Sequence, residues 1–319
     1  MKSRMKSSMK IGLIVTLAAL LGVGAVAMAT DFVWDGAGVG QGGGTEAWLN
    51  ETMWDVGSGY PDNANDNATL DDPGTTANCE YSPTSALTIN DLVIAGDSPT
   101  KMKLIVKDNT LAVSSLDLGD YAEMDVDANF TASAAEMSGD VWMDVADSTT
   151  ADLGAADVVG SSIAASPITC VLHWEDNSSG AVTMATLDID AEAGDAGRGL
   201  KLSGATGAAV TVTDTLTVKC KQSSGTKKAK LWVSSGSLSI DDGDTGTATL
   251  VIDGGDDSSR SAELDIDDTL TAEQTNVLSG YAIIDVASGT FAYLAEYTLN
   301  GGAIVTVTGS GTVKSGNAP

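Results

Sequence analysis

The groups that could do chemistry in this chain are few in kind and unevenly distributed. There is a single histidine, His173, in Cys170-Val-Leu-His-Trp174. Beyond residue 30 the only arginines are Arg198 and Arg260. The three cysteines, Cys79, Cys170 and Cys220, are far apart in sequence and unlike a metal knuckle, which leaves small buried core residues or one disulfide. A nucleophilic triad would have to use His173, but no Gly-x-Ser-x-Gly segment accompanies it. Zinc would need further nitrogen or sulfur ligands near it, and none cluster there.

Carboxylates are abundant: the chain has 44 Asp and Glu against 16 Lys and Arg. Asp125, Asp144, Asp188, Asp265 and Asp285 each stand between two apolar residues of a recurring strand pattern. If those strands stack, Asp125 and Asp144 become neighbours, and so do Asp265 and Asp285. Adjacent carboxylates repel unless a cation bridges them or one takes up a proton. Calcium, which binds oxygen ligands on flexible loops, is the expected cation. The turns Asp241-Asp-Gly-Asp244, Asp253-Gly-Gly-Asp-Asp257 and Asp265-Ile-Asp-Asp268 are acidic too, but lack an ordered calcium-loop spacing and read as solvated turns. Most lysines beyond residue 30 fall in two groups, Lys101, Lys103 and Lys107, then Lys219, Lys221, Lys227, Lys228 and Lys230. They read either as local compensation of acidic ladders or as a docking patch for an acidic partner. Trp34, Trp48 and Trp54 read either as a plug over the end of a core or as a sugar-binding surface.

The element that positions these groups is a short repeat. Ser261 to Ala272 alternates Leu264, Ile266, Leu270 and Ala272 with polar residues, the pattern of a half-buried strand, and Asp267-Asp268 marks a bend. Ala122–Val126 with Phe130-Thr-Ala132, Ala229–Val233 with Leu238-Ser-Ile240, and Ala282–Val286 with Phe291-Ala292 repeat it. The inward positions Leu104, Met124, Met143, Leu187, Val210, Leu231, Leu250, Leu264, Ile284 and Val305 follow at mostly about twenty residues, a solenoid spacing. Leu250 to Leu264 is too short a step, and residues 149–166 lack the pattern, as a lateral loop would. Such a unit cannot bury its own apolar face and must stack. The expected fold is all-β: a parallel β-solenoid (β-helix, right-handed being the commoner winding) over residues 85–319, behind an irregular Trp/Gly-rich N-terminal cap at 30–84. A pair of β-sandwiches also suits short strands, but gives no reason for one sequence to recur.

Residues 1–29 read as a signal peptide. Lys2, Arg4, Lys6 and Lys10 precede an apolar run from Ile11 to Val26, and Ala27-Met28-Ala29 offers a cleavage site. No second apolar run is long enough to span a bilayer, so the mature chain is expected not to be transmembrane. The net charge of −28 excludes nucleic acid and anionic membranes as partners.

Trp34-Asp-Gly36, Trp48, Trp54, Pro61 and Asp66-Asn-Ala-Thr-Leu70 together give the opening stretch a pattern that resembles secreted β-helix surface proteins of the autotransporter-associated β-strand kind. Those open with Trp-Asp-Gly-Gly, a Trp, an Asn-Trp, a Pro and an Asp-x-Ala-x-apolar strand. The likeness covers residues 32–70; Met53 stands where the family has Asn, and the Gly-rich segment is longer. It implies an extracellular, surface-associated, non-catalytic stalk or passenger. Polysaccharide-active β-helices need an acidic cluster with Arg or Lys close by, and neither Arg198 nor Arg260 has a second cation beside a strand-borne acid pair. The expectation is therefore a secreted or cell-surface structural solenoid with no cofactor unless calcium. The alternatives are an adhesin or glycan-binding module and, after it, a polysaccharide enzyme. Extracellular polysaccharide, cell-surface proteins and a second copy, joined at the C-terminal end, are the expected partners.

Overall fold

The computed structural model describes residues 29–34, 45–55, 59–71, 77–97, 99–159, 168, 170–174, 180–191, 197–204, 209–220, 227–243, 246–255, 259–300, 304–309 and 311–315, some by backbone alone. The proposed signal segment, apart from Ala29, lies outside them. Among the described residues no helix is long and apolar enough to cross a membrane.

These residues build two long sheets of 14 and 11 strands in which every strand-to-strand pairing is parallel. Successive coils send one strand to each sheet: Leu111–Leu118 to the first, Ala122–Val126 to the second, Phe130–Met137 to the first again, Gly139–Val145 to the second. The chain is thus a parallel β-solenoid. Eleven strands stacked in the second sheet, at about 4.8 Å each, give a rod of about 50 Å.

Strict alternation makes the second sheet. In Met102–Val106 and Ala122–Val126 every other residue is fully buried, and Leu104, Met124 and Met143 stack in one inward row. In longer strands of the first sheet the alternation breaks once. Leu111–Leu118 exposes Ser114 and Ser115 in succession, and Phe130–Met137 exposes Ser133 and Ala134. A pair of consecutive outward residues reverses the phase, so the strand turns a corner and both halves still bury their apolar residues. In the next coil the corner separates Thr150–Asp152 from Ala155–Val158. Gly154 sits there at φ +60°, where a Cβ would come within 2.3 Å of the Ser133 carbonyl, so only glycine fits.

The repeat differs from the expected one in three respects. Leu187, Val210 and Leu250 belong to the first sheet, not the second, Leu187 and Leu250 sharing a row through Leu216. The short step from Leu250 to Leu264 is a crossing between sheets. Coils also lengthen in the middle: Met102, Ala122 and Val141 are register partners about twenty residues apart, whereas Val141, Leu172, Leu202, Val233 and Ile266 follow at about thirty. Finally, stacking starts well before residue 85. Asp31–Val33 pairs with Asn67–Asp71, and Thr45–Ala47 with Ala77–Tyr81, so two coils already run through the segment read as an irregular cap. Within 149–166, read as a loop, residues 150–152 and 155–158 are strands.

Candidate functional site

The outward face of the second sheet gathers most of the functional groups that the repeat displays. One outward row runs Asn78, Lys103, Glu123, Trp142, His173 across five coils. Lys103 reaches Glu123 at 3.0 Å and Asp125 at 3.1 Å, and Lys101 reaches Glu123 at 2.9 Å. Burial pulls the Lys103 ammonium pKa down, but the two carboxylates outweigh it and the net shift is upward. Burial likewise pushes Glu123 up, and the two lysines overcome this and hold it below its usual range. Glu123 therefore contributes stability above its ordinary value that is lost as pH falls through its native one. Lys103 contributes stability below its ordinary value that is lost as pH rises through its native one.

The aspartate ladder is half as expected. Asp125 and Asp144 are register neighbours, and so are Asp265 and Asp285. The two pairs lie in different rows, however: the row of Asp265 passes through Trp232 and Lys201 to Val171, not to Asp144. Asp188 lies on the other sheet. At Asp125 and Asp265 a lysine supplies the cation expected of calcium, Lys230 standing 3.0 Å from Asp265. Oδ1 of Asp285 is buried with no donor among the described residues. Lys228 pairs with Glu263 at 2.6 Å, Lys107 with Glu80 at 3.4 Å, and Lys219 with Asp190. Lys101, Lys103, Lys107, Lys219, Lys228 and Lys230 thus each compensate a neighbouring acid. Lys221 lies outside the described residues, as does the side chain of Lys227. Replacing Lys103 with Met is expected to cost about 1–2 kcal/mol, between a surface and a buried pair. Chemical denaturation at neutral pH checks this, and a change under about half a kcal/mol would mean that solvent already screens the cluster.

Of the two readings of the tryptophans, their burial fits the plug and corrects the sugar-binding surface. Trp34, Trp48 and Trp54 are 2%, 0% and 2% exposed. Trp54 meets Trp34 and Trp48 edge to face at 5.0 and 5.1 Å, and Trp48 meets Tyr81 at 5.7 Å. The Trp48 indole N–H donates to the Pro61 carbonyl and that of Trp54 to the Trp48 carbonyl. Rings packed this way have no face left for a sugar.

An outward aromatic row on the second sheet was missed. Trp142 stacks on His173 at 4.6 Å and 8°, and Tyr121 leans on Trp142 at 5.6 Å. Lys101 sits 4.1 Å from the Trp142 ring centre. Tyr121 takes φ 57°, rare for a bulky side chain. The signal was present in the matched pairs Trp142-Met143 and His173-Trp174, but it is legible only once the register is known. His173 lies 3.9 Å from Asp140 and belongs to this stack.

The three cysteines are buried and form no disulfide with one another, as the core reading had them. Burial first, then Glu80 for Cys79 and Asp140 and Asp120 for Cys170, pushes these thiols well up. Asp241, Asp242 and Glu273 bring carboxylate oxygens within 4.8 Å of one another. Backbone donors occupy them: Gly243 N–H on Asp241, Gly246 and Thr247 N–H on Asp242, Ala248 N–H on Glu273. Their visible work is to hold a corner loop closed. Asp244, Asp256 and Asp257 lie outside the described residues.

Comparison with family models, curated proteins and solved structures returned no match for this chain.

Proposed function

We propose that this chain is a secreted or cell-surface structural solenoid, a stalk, coat or matrix component that works as a rod rather than a catalyst. The observation that carries this reading is where the functional groups go. Apolar residues of each coil fill inward rows, and charged residues of the second sheet pair between coils, as Lys103 does with Glu123 and Lys230 with Asp265. Secretion rests on the sequence of residues 1–29. The same reading assigns a second copy as a partner. Ile304–Thr308 and Thr312–Ser315 are the last strands of their sheets, each paired on one side among the described residues, with Val313 47% exposed. An edge of that kind templates another strand.

Negative-stain imaging and light scattering of the chain from residue 30 onward test the proposal together. Rods are expected, singly and joined end to end with rising concentration, with joining reduced by Val313→Asp. Compact globules would sink the rod. Rods that stay single at high micromolar concentration would remove only the second copy. A glycan array separates the adhesin reading: selective sugar binding would displace the structural one. A reducing-sugar assay on anionic polysaccharides does the same for an enzyme.

A further inference from the structure

Each sheet has two edges, and the two ends of the stack are built differently. Asp31–Val33 and Thr312–Ser315 are the edge strands of the first sheet, Thr45–Ala47 and Ile304–Thr308 those of the second. Each pairs in parallel with its one neighbour. A second copy stacked head to tail would therefore continue both sheets as one more coil does, and repetition of that contact gives an open filament.

At the end formed by Asp31–Val33 the place of such a copy is taken. The Asn67 N–H donates to the Thr30 carbonyl at 2.9 Å and the Trp34 N–H to the Thr69 carbonyl at 2.8 Å. Backbone groups alternate sides along a strand, so those of Val33 face the open edge. Asp55 meets both of them. The Val33 N–H donates to Asp55 Oδ1 at 3.0 Å, and the Asp55 N–H donates to the Val33 carbonyl at 3.0 Å. Trp54 runs beside Trp34 as an antiparallel bridge, against the parallel sense of the stack. On the second sheet the Trp48 N–H donates to the Glu80 carbonyl, which turns Ala47 to the open edge, and there the Ala47 carbonyl accepts the Asn50 N–H at 2.9 Å. One turn of 3-10 helix, Glu51–Met53, carries the chain from the second edge to the first. The crossing also lays Trp54 edge to face on Phe32, at 6.0 Å. Phe32 is an inward residue of the outermost coil and is 6% exposed. Val313, in the inward row of Phe291 at the opposite end, is 47% exposed.

We infer that Asp55 is an edge clamp: it supplies the acceptor and the donor that a neighbouring strand would bring to Val33, and so shuts this end of the solenoid to a second copy. Head-to-tail growth then finds no edge to extend. The joining of copies under Proposed function, on which this consequence rests, is confined to the end formed by Thr312–Ser315 and stops at two. The side chain acts as an acceptor and not as a charge. Asn keeps an amide oxygen there and should serve; Ala offers none. Asp55 is exposed, so neither substitution disturbs the core.

Light scattering and negative-stain imaging of the chain from residue 30 onward, over a concentration series, test the clamp on the wild type, Asp55→Asn, Asp55→Ala and Asp55→Ala/Val313→Asp. Residue-resolved hydrogen exchange gives a readout that needs no second copy. The wild type and Asp55→Asn should grow no larger than two copies. Asp55→Ala should form longer rods, and adding Val313→Asp should shorten them again. The Val33 amide should exchange about tenfold faster in Asp55→Ala than in the wild type, as loss of one hydrogen bond to a charged group predicts. A wild type that grows beyond two copies, an Asp55→Ala that grows no further than the wild type, an Asp55→Asn that grows as Asp55→Ala does, or a Val33 amide equally fast in the wild type and Asp55→Ala would each overturn the clamp. A wild type that stays single while Asp55→Ala grows would support it, and would remove only the pairing of copies through the other end.

Discussion

Replacing Trp48 with Ala should lower the unfolding free energy by about 3–5 kcal/mol, the range for removing a large buried aromatic side chain. Trp48 is fully buried, lies edge to face with Trp54 and Tyr81, and donates its indole N–H to the Pro61 carbonyl. Alanine would open a cavity under the first coils and leave that carbonyl without its donor. Trp48→Phe should recover most of the packing but not the hydrogen bond, a residual cost of about 1 kcal/mol. Urea unfolding of the three proteins measures both. A loss under about 1 kcal/mol for Trp48→Ala would mean that the aromatic cluster is not part of the cooperative core. Sugar binding is not expected to change, since no ring face is open.

The second large effect is at Leu264, expected to cost about 2–4 kcal/mol on replacement by Ala. Leu264 is 1% exposed and stacks between Leu231 and Ile284 in one inward row. Each coil touches only its neighbours, so the cavity should weaken two interfaces, Lys227–Val233 on one side and Tyr281–Asp285 on the other. Equilibrium unfolding should show the loss, and hydrogen exchange should place it in those flanking strands. A loss below about half a kcal/mol would put the strand in the opposite register, since a slip of one residue sends Leu264 to solvent.

Leu264 and Ile266 could be read as inward from alternation alone, and the solenoid follows from the recurrence of that alternation. The assignment of Leu250 and Leu187 to the wrong sheet has a physical origin. Strands of both sheets alternate alike, so a strand's pattern reports that it has a buried face, not which sheet it joins. The split of Ser237–Ile240 from Thr249–Asp253 makes two patterned segments of one sheet look like successive coils. Trp34, Trp48 and Trp54 gave no sign of direction, because aromatic rings suit both a core and a sugar surface. The partners of Asp125 and Asp265 lie on the coil before, at Lys103 and Lys230, and only register brings them together.

The corner of the first sheet has a use for protein engineering. In one coil it is closed by a single residue, Glu273, where the register slips between Ala272 and Gln274. In the coil before, the whole stretch between Ile240 and Thr249 occupies the same place. Yet Ser237–Ile240 and Thr249–Asp253 both keep their pairing with Thr269–Ser279. Length at this position is thus uncoupled from the ladders on either side. A foreign peptide spliced in after Gly243, whose Cβ position meets nothing within 4 Å, would be carried at the rod's edge without being asked to fold. Placed at the equivalent corner of several coils, such inserts would be displayed in a line at multiples of about 4.8 Å, a spacing set by the backbone and not by the cargo.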